Sequence, residues 1–143
     1  MQADDTLNRF LEAQETYYTK ALDEIRKGRK QTHWVWFIFP QIAGLGYSEM
    51  ARFYAIKDLQ EARSYLDHPV LGARLTEIAN ALLSVEGKTA NQILGNPDDL
   101  KVRSSMTLFN LLKPTDPVFG AVLARYYQGS PDPQTLRLLN IRS

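Results

Sequence analysis

The chain has 143 residues, 44 % hydrophobic and 23 % charged, with a formal net charge of +1 and no cysteine. This length suits a single domain burying about two thirds of its unfolded surface, and the lack of cysteine excludes disulfides, thiolate metal sites and cysteine nucleophiles. The near-zero charge argues against a dedicated duplex-DNA binder, which carries a clear basic excess. The opening Met1-Gln2-Ala3-Asp4-Asp5-Thr6 is polar and acidic, without the basic and apolar regions of a secretory signal. The longest apolar run, Trp34–Phe39, is too short to span a bilayer. These features predict a cytoplasmic protein with no membrane partner.

Helix signals then follow one another along the chain. Leu7, Phe10 and Leu11 form one apolar stripe, and Tyr18, Ala21, Leu22 and Ile25 continue at helical spacing to a stop at Gly28. Trp34-Val35-Trp36-Phe37-Ile38-Phe39 is rich in strand-favouring residues. No second strand run exists to pair with it, so Thr32–Phe39 is predicted as a short buried helix, capped by Thr32 and stopped by Pro40. Ser48 is placed to cap a helix over Glu49–Ile56. Asp58-Leu59-Gln60-Glu61 resembles a capping box, and Thr89-Ala90-Asn91-Gln92 repeats the pattern. His68-Pro69 marks a helix junction. In Asn96-Pro97, Asp116-Pro117 and Asp132-Pro133 a residue able to N-cap precedes a proline suited to the first helical position. Helical runs follow each pair, the last being the short, partly basic Thr135–Ile141. The predicted architecture is all-α: one compact domain over 1–143, with its core at roughly 8–138 and about seven to nine short helices.

The stretch Thr32-His33-Trp34-Val35-Trp36-Phe37-Ile38-Phe39-Pro40-Gln41-Ile42-Ala43-Gly44-Leu45-Gly46 resembles the hallmark of the domain of unknown function 1810 family. Tyr65–Gly72, Asp99–Phe109 and Arg9–Gln14 match the same pattern, so the likeness runs from Asn8 to about Leu138. The resemblance implies a small, mainly α-helical protein of a largely bacterial family with no established activity. Some such proteins carry a "calpastatin" label, but an ordered, core-rich domain is unlike a disordered protease-inhibitor segment. No catalytic residue is carried over.

The block His33–Ser48 holds the strongest chemical candidates. His33 can act as general acid or base. The alternative is a histidine that bonds a backbone carbonyl and fixes the helix start. Trp34, Trp36, Phe37 and Phe39 can stack on a base or sugar, or simply fill the core; Trp34 is the favoured wall because it shares a helix face with Gln41. Gln41 beside Gly44-Leu45-Gly46-Tyr47-Ser48 can read a base edge or a phosphate, against the plainer reading of a tight turn with a serine cap. The dinucleotide fingerprint and the Walker pattern are both absent. Arg103, Ser104 and Ser105 form a polar interruption in an apolar helical run, suited to a ligand or to a close helix contact. No serine-nucleophile motif surrounds them. The basic run Arg26-Lys27-Gly28-Arg29-Lys30 either complements a helix C-terminus or draws an anion toward the aromatic block. Two histidines and no metal-ligand spacing predict no metal, and no cofactor is expected.

The sequence therefore points to a binding module for a small anionic or aromatic ligand such as a nucleotide, held by His33, Trp34, Gln41, Gly44, Gly46, Ser48, Arg103, Ser104 and Ser105. A hydrolase or transferase using His33 as acid–base is the rival from another class. A protein-interaction domain, marked by a large exposed apolar patch, is the third reading.

Overall fold

Phe10, Tyr18, Ala21, Leu22 and Ile25, with Gln14 and Glu24, form the buried face of α1 (Asn8–Arg26) in the computed structural model, which describes residues 6–141. The helix closes as a Schellman turn. Gly28 N–H donates to Ile25 O at 2.8 Å and Arg29 N–H to Glu24 O at 3.0 Å. Eight more helices follow among the described residues: α2 (Val35–Ile38), α3 (Glu49–Phe53), α4 (Leu59–Asp67), α5 (Leu71–Leu83), α6 (Ala90–Leu94), α7 (Asp98–Asn110), α8 (Pro117–Tyr127) and α9 (Pro133–Leu138). No strand is formed among these residues, and an isolated parallel bridge joins Ile42 to Ile56. No described helix is long and apolar enough to cross a membrane. The reading of the acidic N-terminus as no signal falls on residues 1–5, outside the described residues.

Helix α7 is the hub. Val102 and every residue from Ser104 to Phe109 are buried, and the helix packs on α8, α6, α4, α9 and α2. Such all-round burial explains the mixed pattern of its sequence, since a helix covered on all sides needs no single apolar stripe. Helix α5 fills the other half of the core against α1, α4 and α8.

Most caps fall where the sequence places them. Asp116 and Asp132 accept from Val118 and Thr135 N–H, each ahead of a proline in the first turn. Thr89 and Gln92 form a reciprocal capping box. Asp58 accepts from Glu61 N–H at 2.8 Å, but the Glu61 side chain turns instead to Lys57 N–H and Arg9. His68 Nδ1 accepts from Val70 and Leu71 N–H and closes the α4–α5 junction.

Two helix starts differ from expectation, and the helix expected over Glu49–Ile56 ends at Phe53. The Trp34–Phe39 segment makes only one turn of helix, with Trp34 at its start and no side-chain cap. Thr32 does not cap it because its hydroxyl donates to Glu24 Oε2 at 2.7 Å, back on α1. Asn96 likewise does not cap α7: Pro97 occupies that position without a side-chain bond. The first turn of α7 is served by Gly95 O, which takes Asp99 N–H, and by Asp99 Oδ1, which takes Leu100 N–H.

Candidate functional site

The chain between α2 and α4 leaves the core and returns, carrying α3 at its tip. Its neck is tied by two backbone bonds of 2.8 Å, from Ala43 N–H to Ile56 O and from Ile56 N–H to Gln41 O. Ile42 and Ile56 are both buried there. Arg9 fixes the far side: Nε donates to Phe53 O and Nη2 to Ala55 O, each at 2.8 Å, and Nη2 also pairs with Glu61 at 3.2 Å. Gly44, at φ +103°, bends the excursion against α9; a Cβ there would lie 3.1 Å from Leu138 Cδ2. No residue of α3 is buried.

This excursion faces α7 and α9 across a cleft of about 500 Å³. Gln41, Leu45, Gly46 and Ala51 line it from the excursion; Pro97, Leu100, Lys101, Arg103 and Ser104 from α7 and its approach; and Asp132, Pro133, Gln134 and Arg137 from α9 and its cap. The floor is a hydrogen-bonded polar network. Asp132 Oδ2 accepts from Ser104 Oγ (3.1 Å), Thr135 Oγ1 (2.7 Å) and Thr135 N–H (3.0 Å), while Asp132 N–H donates to Thr107 Oγ1 at 2.8 Å. Arg103 is held rigidly: Nε and Nη2 bond Ser130 O, Ser130 Oγ and Pro131 O at 3.0–3.1 Å. Among the described residues no hydrogen bond or ion pair engages the Arg137 side chain, and the residue is exposed. Three cationic residues and one carboxylate therefore line the cleft, the Lys101 ammonium being paired at its edge with Asp98 at 3.6 Å.

Four of the residues singled out from the sequence meet here: Gln41, Gly46, Arg103 and Ser104. The others lie elsewhere. Trp34 is fully buried, its ring 6.2 Å from that of Phe39, and Nε1 donates to Glu24 Oε1 at 2.9 Å. It is a core anchor, with no face open to a ligand. His33 is exposed and lies outside the cleft. Among the described residues no carboxylate or carbonyl holds either of its nitrogens. Gly44 shapes the excursion from behind. Ser48 Oγ accepts Ala51 N–H at 3.1 Å and caps α3. Ser105 is fully buried, and its Oγ, like Trp36 Nε1, has no hydrogen-bond partner among the described residues.

The basic run also serves the scaffold. Lys27 pairs with Asp23 at 3.0 Å. Lys30 turns inward, with Nζ 2.7 Å from Asp98 and 4.9 Å from the centre of the Trp34 ring. Lys101, Gln134, Asp132 and Arg137 were not singled out as site residues. Asp132 was marked only as a helix cap, and Lys101 and Arg137 only by basic character that reads equally well as a solvated face.

Glu24 holds a strongly perturbed carboxyl at the end of α1. Burial by itself would raise its carboxyl pKa, but donors from Gln31 N–H, Trp34 Nε1, Thr32 Oγ1 and Thr32 N–H outweigh it and lower the pKa to about 2. No group of three or more histidines, aspartates or glutamates that could hold a metal ion exists among the described residues.

Comparison with known proteins follows the same lines. A model for the family described as "Protein of unknown function (DUF1810)" matches residues 4–139. Among solved structures, the chain is similar to the conserved hypothetical protein Rv1873 from Mycobacterium tuberculosis. The two share 45 % identity and a TM-score of 0.91, over 95 % of this chain and 97 % of that one. No curated protein matches.

Proposed function

We propose that this chain, which belongs to the DUF1810 family of proteins of unknown function, binds a small anionic ligand in the cleft between the α2–α4 excursion, α7 and α9. The observation that carries this reading is convergence. Segments far apart in sequence bring Lys101, Arg103 and Arg137 to one concavity, with the carboxamides of Gln41 and Gln134 beside them. The cleft's size is that of a metabolite site. Arg103 is preorganised by its three bonds to the 130–131 loop, which lowers the entropy lost on binding. We take residues 1–143 as one functional domain, acting in a bacterial cytoplasm; the absence of cysteine fits a reducing compartment, and the solved relative comes from Mycobacterium tuberculosis.

Isothermal titration with phosphate-bearing metabolites tests this. Binding is expected for at least one member, and Arg137→Ala is expected to weaken it about tenfold, the scale of one charge-assisted contact. The melting temperature of the free protein should barely change, because Arg137 is exposed. No binding by any anion, or an unchanged affinity in Arg137→Ala, would remove the support for the site.

A second reading, a protein-interaction surface, is favoured by the outer face of α3. Phe53 is 59 % exposed and Met50 40 %, three residues apart on the helix, and Tyr47, just before its cap, is 82 % exposed. Clustered exposed apolar groups mark contact surfaces. If they serve one, Phe53→Ser abolishes a concentration-dependent association in sedimentation velocity; a chain that stays monomeric at all concentrations and captures no partner counts against it.

A further inference from the structure

We infer, resting on the reading of the cleft as a ligand site, that its ligand is a sugar phosphate: a phosphate joined to a polyhydroxy, non-aromatic body. The argument comes from what the cleft offers besides positive charge. Arg103 and Arg137 suit a phosphate, which is dianionic near neutral pH and accepts several charge-assisted bonds; the Lys101 ammonium, paired with Asp98 at 3.6 Å, adds positive charge beside them. Arg103 commits Nε and Nη2 to the 130–131 loop, and among the described residues Nη1 makes no bond, leaving a donor of fixed orientation.

Asp132 lines the same cleft. Its Oδ2 is engaged by Ser104 and Thr135, whereas Oδ1 meets no donor among the described residues. A carboxylate in a site for a bare polyanion would repel it. In a site for a hydroxylated body the same oxygen accepts an O–H, and Gln41 and Gln134 each offer both a donor and an acceptor to further hydroxyls.

No aromatic side chain lines the cleft. Trp34 is sealed in the core on Glu24, and the Trp36 ring is covered by Lys101 Nζ at 4.8 Å. A nucleobase would find no ring to stack on, and stacking is the main sequence-tolerant source of affinity for a base. The nucleotide expected from the aromatic block therefore gives way to a ligand recognised by its phosphate and its hydroxyls.

The test is a titration of the full chain with ribose 5-phosphate, glucose 6-phosphate, inorganic phosphate and adenosine 5′-monophosphate. At least one of the two sugar phosphates is expected to bind about tenfold more tightly than inorganic phosphate, with adenosine 5′-monophosphate no tighter than ribose 5-phosphate. Asp132→Asn keeps an oxygen for the α9 cap while losing the charge, and is expected to narrow the gap between sugar phosphate and phosphate to about threefold or less. Gln134→Leu, on the exposed first turn of α9, should narrow it in the same direction and guards against misfolding of the first variant. Adenosine 5′-monophosphate binding tenfold more tightly than ribose 5-phosphate would overturn the sugar assignment and leave the anion site standing. Equal affinity for inorganic phosphate and both sugar phosphates would do the same, as would an unchanged gap in both variants. No binding of any phosphate would overturn the assignment and the site together.

Discussion

Glu24→Ala is expected to lower the folding free energy by about 3–5 kcal/mol, the range for removing one side of a buried charged network. Glu24 is 5 % exposed and lies in the last turns of α1. A negative charge there opposes the helix dipole, so its local setting argues against it. Its stabilising role comes from the 31–34 segment, where Gln31 N–H, Thr32 N–H, Thr32 Oγ1 and Trp34 Nε1 all donate to it at 2.7–3.1 Å. Alanine would leave these four donors without their acceptor, one of them the indole of a fully buried tryptophan. Glu24→Gln keeps one acceptor oxygen and should lose about half as much.

The same carboxylate sets a pH dependence. Its pKa is about 2 in the folded chain against 4.5 unperturbed. The unfolded state therefore binds the proton first as pH falls, and stability falls with it. The contribution is whole above about pH 4.5 and is lost as pH drops toward 2, with a total of about 3 kcal/mol. Urea denaturation of wild type and Glu24→Gln from pH 7 to pH 3 measures it: the two curves should converge at low pH. A constant separation, or a Glu24→Ala loss below about 1 kcal/mol, would show that the network is not stabilising.

Gly72→Ala is the second large effect, expected to cost about 3 kcal/mol or more. Gly72 sits in the first turn of α5, where it crosses the end of α4. A Cβ built there falls 1.9 Å from Leu66 O and 2.8 Å from Leu66 C. Both are backbone atoms of a helix, so no rotamer change relieves the overlap. The junction is also locked by His68, whose O takes Gly72 N–H at 3.0 Å while Nδ1 takes two further N–H groups. The helices must part, and α5 is half the core. Gly120→Ala in α8 supplies the contrast. Its Cβ would meet Asn110 Oδ1 at 3.3 Å, the end of an exposed side chain that can turn away. Removing a mid-helix glycine gains up to about 1 kcal/mol, so Gly120→Ala should be neutral or slightly stabilising. Thermal melts of the two variants decide this; a Gly72→Ala melt matching wild type would mean that the junction yields.

The helical course of the chain was readable because its signals are local. Asp116 and Asp132 before proline, Thr89 with Gln92, Ser48 and Asp58 all cap the helices they precede, since a cap needs only residues within one turn. Two of the readings that shifted were decided from a distance. Thr32 was free to cap α2 until Glu24, eight residues back, took its hydroxyl. Trp34 was a plausible wall until the same carboxylate took its indole. Burying Trp34 left its neighbour His33 exposed and unheld.

The cleft divides along the same line. Gln41, Gly46, Arg103 and Ser104 stood out because polar or glycine residues amid apolar runs call for an explanation of their own. Lys101 and Arg137 did not, because an exposed cation on a helix is ordinary surface. Local patterning thus suffices for the all-α class, most helix starts and the family likeness. Which polar groups share a cleft, which aromatics are sealed away, and which cation faces a carboxylate depend on α7 meeting α9 and on the excursion folding back over both. Those contacts join residues dozens of positions apart, and no periodicity or cap records them.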